Sequence, residues 1–381
     1  MIVVMAVVAV VVVGVVGSLA VSVGQSSRQV TLPSPTGPYR VGRTLVYWTD
    51  ETRVDPFAPN RSTHRELPVL IWYPANPRPH AKPTSYLPPG WSSLLHSGPL
   101  ATILRTPPAN IHPHAVENAP IQPGGRRFPL LVFEPALGLA PTDYTVLIED
   151  LASHGFVVAG IDPTYTNDVV LPGNRVVSSV PDARDTASYS QVVGVWAADS
   201  RFVAQRLARL DSSAGSRFYR RLEIHHIGFV GDAAGGAAAA LACRGDRACG
   251  GAADIDGDLT GNVLSRGLGR PFLFLADASA FSNEPYLKGM IRRVVRDVPR
   301  SRAFAFTLED ARPASFSDRK LYFSAIGALL GGGTADPIRP LRITETYLQA
   351  FFGVAWGGRE PAVLRRPHSP YPEVKQVPIS G

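Results

Sequence analysis

The chain has 381 residues, 45% of them hydrophobic and 18% charged, with a formal net charge of +7. That balance excludes a disordered chain and supplies a sizeable core. The positive charge is scattered as Arg pairs without interleaved aromatics, and no fixed-period repeat is visible, which argues against a nucleic-acid binder and against a solenoid or propeller.

Residues 1–24, MIVVMAVVAVVVVGVVGSLAVSVG, carry no charged side chain, and a membrane span needs roughly 20 such residues. The segment reads as a signal peptide cut near Ser18–Ala20 or as an uncleaved anchor. Arg28, Arg40 and Arg43 follow it and no Lys or Arg precedes it, which the positive-inside rule counts against export. Cys243 and Cys249 count for export, because two cysteines six residues apart in an exported protein pair as a disulfide more readily than they bind a metal. The expectation is a domain exported and held to the membrane by residues 1–24, or secreted after cleavage.

Residues 25–40 are rich in Ser, Pro and Gly and read as a linker; the folded domain is expected over 41–375, with 376–381 as a tail. Alternating patterns at LVYWTD (45–50) and LPVLIWYP (67–74) predict early antiparallel strands. Residues 75–127, rich in Pro, His and Asn, predict a long irregular stretch covering one face. FPLLVFE (128–134) is then a continuous apolar run, as expected of a strand buried on both faces. A helical pattern at 142–154 leads to FVVAGID (156–162). A second helix is predicted over about 187–210, where Val193, Trp196, Phe202, Val203 and Leu207 recur at roughly helical spacing. IHHIGFVG (224–231), PFLFLAD (271–277) and AFAFTLE (303–309) are further strand candidates. Strands alternating with helices predict a mostly parallel sheet wrapped by helices.

These stretches resemble, in order, the plasma-type platelet-activating factor acetylhydrolases of the α/β-hydrolase superfamily. LPSPTGPYRVG (32–42), the R-x-D-P of Arg53–Pro56 and RELPVLIWYPA (65–75) are similar to that family's N-terminal signature. LASHGFVVAGID (151–162) is similar to its second central strand, ADSRFVAQRL (198–207) to the helix before the nucleophile turn, ADIDGDLTGNV (253–263) to its acid loop, and SPYPEV (369–374) to its closing segment. The resemblance implies an α/β-hydrolase fold, and an ancestry of phospholipid acyl hydrolysis by Ser-His-Asp chemistry without a cofactor or metal.

The same resemblance locates what is missing. The family's turn reads G-H-S-x-G-G; here it is Gly231-Asp232-Ala233-Ala234-Gly235-Gly236, with Ala233 at the nucleophile. Asp256 falls at the acid position. Pro313, in DARPASFSD (310–318), falls at the His position. Of nine histidines only His368 follows Asp256. The family's F-S-H-G-L-G becomes Phe133-Glu134-Pro135-Ala136-Leu137-Gly138, so Leu137 and Ala234 are the expected oxyanion-hole backbone donors, Glu134 adds a carboxyl beside them, and Pro163 stands where the family carries a His.

Other readings are weighed against these. Asp232 is a substitute nucleophile in an aspartate-type mechanism, against which the carboxylate simply bonds within its turn. Ser315 and Ser317 lie in the loop that lost its His, with no base evident in the sequence. Glu134, Asp232 and Asp256 are candidates to converge on a cation, although no EF-hand spacing accompanies them. The RGD inside Cys243–Cys249 and the acceptor pattern Asn60-Arg61-Ser62 are short matches with bland explanations. Gly331–Gly333 ends a helical pattern, and His225 and His226 have no partner at ligand spacing. Three functions follow: an exported, catalytically inactive homologue acting by lipid or acyl binding or through a protein partner; an esterase or lipase rerouted through Asp232; or a structural envelope protein.

Overall fold

The computed structural model describes residues 27–94, 105–180, 185–283, 286–323, 336–365 and 369–379. The apolar leader, His96, His368 and Gly331–Gly333 lie outside these residues.

The framework is a ten-stranded sheet. In chain order its strands are β1 (Arg40–Val54), β2 (His64–Ala75), β3 (Val116–Glu117), β4 (Phe128–Glu134), β5 (Val157–Ile161), β6 (Leu222–Asp232), β7 (Cys249–Ile255), β8 (Phe272–Asp277), β9 (Ala303–Leu308) and β10 (Val374–Gln376). Across the sheet they run β10-β9-β8-β7-β6-β4-β5-β2-β1-β3. The central pairs from β5 through β9 are parallel; β2 pairs antiparallel with both β1 and β5, and β10 closes the far edge antiparallel to β9.

The continuous apolar runs have the reason expected of them. Along β4, Phe128, Leu130 and Val132 face one core, while Leu131 and Phe133 face the other. The first core is closed by α2 (Tyr189–Ser212), through Val193, Trp196, Val203 and Leu207, together with α3 (Ala234–Gly245) and α4 (Tyr286–Val295). The second is closed by α1 (Thr145–Ser153) and α5 (Arg339–Ala355), whose Phe351 and Phe352 pack ring to ring. Strand β4, buried on both faces, therefore reads apolar from Phe128 to Phe133, without alternation.

Four features differ from expectation. β7, Cys-Gly-Gly-Ala-Ala-Asp-Ile, is a central strand with all seven residues buried, yet small residues and two glycines hide it from any propensity argument. The stretch read as a linker is tied down: Val30 and Thr31 pair with Ile111 and His112, and Thr36 and Gly37 donate their N–H groups to Asp150 and Ser153 on α1. The tail is likewise pinned at its start, where Val377 N–H reaches Ala305 O. Helix α1 begins at Thr145 because a 3-10 turn, Pro141–Tyr144, occupies the preceding residues.

The R-x-D-P and RELPV signatures have a structural cause. Arg65, buried on β2, places Nη1 2.6 Å from Asp55 and Nη2 2.6 Å from Asp199 on α2, and also donates to Thr164 O. Arg53 adds a second contact to Asp199 at 2.8 Å. The two carboxylates hold the Arg65 guanidinium firmly protonated despite its burial. One side chain thus ties the antiparallel edge, the loop after β5 and helix α2 together.

Candidate active site

The site is assembled where β6, β7 and β4 end. Strand β6 stops at Asp232 and α3 starts at Ala234, so the whole reversal falls on Ala233. Its backbone sits at φ 50°, ψ −118°, a conformation natural to glycine and strained for a residue with a Cβ. Ala233 N–H donates to Ile255 O at 2.7 Å, and Ala233 O accepts the Ala237 N–H at 3.1 Å. The flanking glycines are there for space. A Cβ on Gly235 would lie 2.2 Å from Glu134 O, and one on Gly231 would lie 2.3 Å from the Gly235 backbone. The turn that presents a reacting oxygen in hydrolases of this architecture is therefore intact, and it presents a methyl group.

Asp256 follows β7 in a left-handed backbone, φ 56°. Its Oδ1 accepts the Asp277 N–H at 3.1 Å. Burial, followed by the nearby Asp232 carboxylate, pushes its acid up to about 8. Among the described histidines none hydrogen-bonds or ion-pairs with Asp256. His154 lies against Asp150, His114 against Leu32 O, and His225 and His226 are exposed toward the start of β6. Pro313, itself exposed, opens a 3-10 turn after β9, Pro313–Phe316, whose Ser315 and Phe316 are buried. That turn approaches the acid indirectly: Arg312 Nη1 lies 4.0 Å from Asp277, whose N–H holds Asp256.

Asp232 is nearly fully buried, and its Oδ2 accepts the Tyr144 hydroxyl at 2.6 Å. Burial raises its acid to about 7, against the pull of that hydrogen bond. A carboxyl sequestered in this way is committed to the fold. Tyr144 was not legible as a site residue: it lies in the 3-10 turn, and only the tertiary fold brings it to the nucleophile turn. Its oxygen also accepts the Ala136 N–H at 3.1 Å. Gly138 N–H is taken by Asn167 Oδ1 at 2.9 Å. Among the described residues the N–H groups of Leu137 and Ala234 have no protein partner, which leaves those two donors open next to Ala233.

Glu134 does not join Asp232 and Asp256. It is fully buried, its Oε1 accepts the Ser200 hydroxyl of α2 at 2.9 Å, and burial with the neighbouring Asp199 pushes its acid well above the usual range. The candidate three-carboxylate pocket is therefore not formed, and among the described residues no cluster of His, Cys, Asp or Glu is arranged to hold a metal ion.

Ser315 has a neighbour that sequence did not reveal: Lys320 Nζ donates to its Oγ at 2.8 Å, and burial lowers the amine. The same Oγ accepts the Arg312 N–H at 3.0 Å, and Ser315 is only 1% exposed. This is a hydroxyl capping its own turn, closed to any substrate. Ser317, equally buried, donates to Ala314 O. Cys243 and Cys249 form a disulfide that joins the end of α3 to the first residue of β7.

Comparison with known proteins agrees with this geometry. The family described as platelet-activating factor acetylhydrolase, isoform II, matches residues 24–164. A probable 1-alkyl-2-acetylglycerophosphocholine esterase of Arthroderma benhamiae is 24% identical over 380 residues, covering 90% of this chain and 92% of the relative. The platelet-activating factor acetylhydrolase of Cavia porcellus is 27% identical over 135 residues, 35% of this chain and 28% of the relative. Among solved structures, a ferulic acid esterase from Streptomyces cinnamoneus superposes with a TM-score of 0.76 at 27% identity, covering 92% of this chain and 99% of that one. With an intact nucleophile turn, an acid after the next strand and these relatives, the chain is an α/β-hydrolase-fold homologue of the platelet-activating factor acetylhydrolases and built on an ester-hydrolase framework.

Proposed function

We propose that this protein is an exported member of that lineage which no longer hydrolyses esters by Ser-His-Asp chemistry and acts by binding a lipid or acyl ligand, or through a protein partner. One observation carries the reading: the strained turn at Ala233 ends in a methyl group, while Asp256 spends its carboxyl on a backbone N–H and no described histidine reaches it. The usual reaction needs an oxygen to attack, an imidazole to take its proton and an acid to orient that imidazole. In a well-studied serine protease, loss of the nucleophile or the base alone costs on the order of 10⁶ in kcat. The open N–H groups of Leu137 and Ala234 support binding of an acyl oxygen, since backbone donors need no particular side chain. The Cys243–Cys249 disulfide supports an oxidising compartment, and residues 1–24 supply the leader or anchor.

The full chain, purified and assayed on short-chain p-nitrophenyl esters and on a platelet-activating factor analogue, tests this directly. Rates at the buffer level, together with thermal stabilisation by a short-chain phospholipid, support the reading. Turnover well above buffer that disappears in Asp232→Asn overturns it in favour of a rerouted esterase. Absence of both turnover and stabilisation overturns the lipid-binding role and leaves the envelope-protein alternative. The double variant Ala233→Ser, Pro313→His is expected to regain a trace of esterase activity, an expectation supported by the turn at Ala233, the Asp256 carboxyl and the open N–H groups of Leu137 and Ala234.

A further inference from the structure

A cavity of about 360 Å³ lies on the other side of the 3-10 turn from Ala233. Thr142 and Asp143 line it, whereas Tyr144 of the same turn faces Asp232; Ala233, Asp256 and Pro313 do not line it. Its remaining walls come from residues 86–91 and 105–111, from residues 138–140 after β4, from the loop after β5 and from Arg319 and Tyr322. The volume is within the range of small-molecule sites, and it sits beyond the carboxyl ends of β4 and β5, where ligands of open α/β sheets collect.

The polar groups around it are unequally committed. Asp143 accepts the Ala140 N–H and the Tyr322 hydroxyl and lies 3.6 Å from Arg319; Asp168 accepts the Ser179 N–H. These acids are satisfied. Four other groups have no hydrogen-bond or ion-pair partner among the described residues: the half-buried Arg105 guanidinium and the buried Trp91 Nε1, Thr106 Oγ1 and Asp162 Oδ2. A buried polar atom left unmade is costly, so the three buried atoms, with the Arg105 charge beside them, call for a ligand that completes them. Arg105, Trp91 and Thr106 all have protons to donate. Asp162 joins them: it is 1% exposed, and burial together with Asp143 and Asp168 raises its acid well above the ordinary range, so it too stands as a donor. An acceptor-rich, negatively charged group satisfies this set, and the unpaired Arg105 repels a cation. Leu87, Ile111 and Leu139 supply apolar wall.

We propose that this cavity binds a small organic carboxylate, its charged end held by Arg105, Thr106 and Trp91 and its apolar body against Leu87, Ile111 and Leu139. The site stands apart from the nucleophile turn, and its occupancy does not depend on whether esters are turned over there.

Isothermal titration of the full chain at neutral pH with 3-phenylpropanoate, 3-phenylpropanamide and phenethylammonium tests the proposal. The carboxylate is expected to bind at least about 10-fold more tightly than the amide, the scale of one charge-assisted hydrogen bond, and the ammonium not at all. Arg105→Gln is expected to lose about 10-fold or more for the carboxylate with the unliganded melting temperature unchanged, and Arg105→Lys to recover part of it. Thr106→Val provides a second variant of nearly the same shape, expected to weaken the carboxylate more than the amide. Equal binding of acid and amide, preference for the ammonium, no binding of any of the three, or indifference to Arg105→Gln each overturns it.

Discussion

Replacing Ala233 by glycine is expected to make the protein more stable. At φ 50°, ψ −118° a Cβ crowds its own backbone, and such a residue holds strain of about 1–3 kcal/mol. Glycine adopts this conformation freely but gives back about 0.5–1 kcal/mol in chain entropy. Loss of a half-buried methyl costs a few tenths more, on a scale of about 0.8 kcal/mol for a fully buried group. The balance is a net gain of about 1 kcal/mol, or roughly 2 °C in melting temperature for a chain of this size. Urea midpoints of the full chain measure it, with Ala233→Ser as a control that keeps the Cβ and gains nothing, and Ala233→Val as a control that loses stability. An Ala233→Gly midpoint equal to or below wild type would refute the reasoning, since the turn would then hold no strain that a Cβ causes. In an active hydrolase such a gain would come with the loss of the reacting oxygen. Ala233 carries no such oxygen to lose.

Gly235→Ala is expected to cost more than about 3 kcal/mol or to prevent folding, because the added Cβ meets Glu134 O at 2.2 Å in backbone that cannot step aside; soluble yield and urea midpoint report it. Arg65→Leu leaves the buried Asp55 and Asp199 without their shared cation and is expected to destabilise by about 3–5 kcal/mol, read by the same midpoint. Asp232→Asn tests the buried acid by its pH dependence. The native acid sits near 7 against an ordinary 3.8, so the native state favours the protonated form. Stability from this group is whole below about pH 4, falls as pH rises through the window up to about 7, and stays lowered above it. Asparagine is neutral throughout, so the variant's advantage over wild type should be near zero at pH 4 and grow to the order of a few kcal/mol by pH 8. An advantage that does not change with pH refutes the assignment.

Much of the framework was readable because burial on two faces imposes a pattern on neighbours in the chain. Phe128–Glu134, Phe272–Asp277 and Ala303–Leu308 were visible as apolar runs of strand length, and Trp196, Val203 and Leu207 as one helical stripe. The turn at Ala233 was equally legible, since the glycines on either side of it mark the reversal whatever residue it holds. Central strand Cys249–Ile255 was not, because its small residues leave room for Phe351 and Ala355 and bear no strand propensity of their own.

Sequence alone determined most of the succession of strands and helices, the alanine between the glycines of the β6–α3 turn and the presence of Asp256 beyond it, because each of these is a residue identity or a short-range repeat. Only the tertiary structure decided which polar groups are spent and which are left over. It placed Tyr144 on Asp232, Asn167 on Gly138 and Ser200 on Glu134, across separations of 88, 29 and 66 residues. It also left Arg105, Trp91, Thr106 and Asp162 around one cavity without partners. Hydrogen bonds and desolvation act over a few ångströms of space, and nothing in the local spacing of a chain records which distant residue will come to lie within that reach.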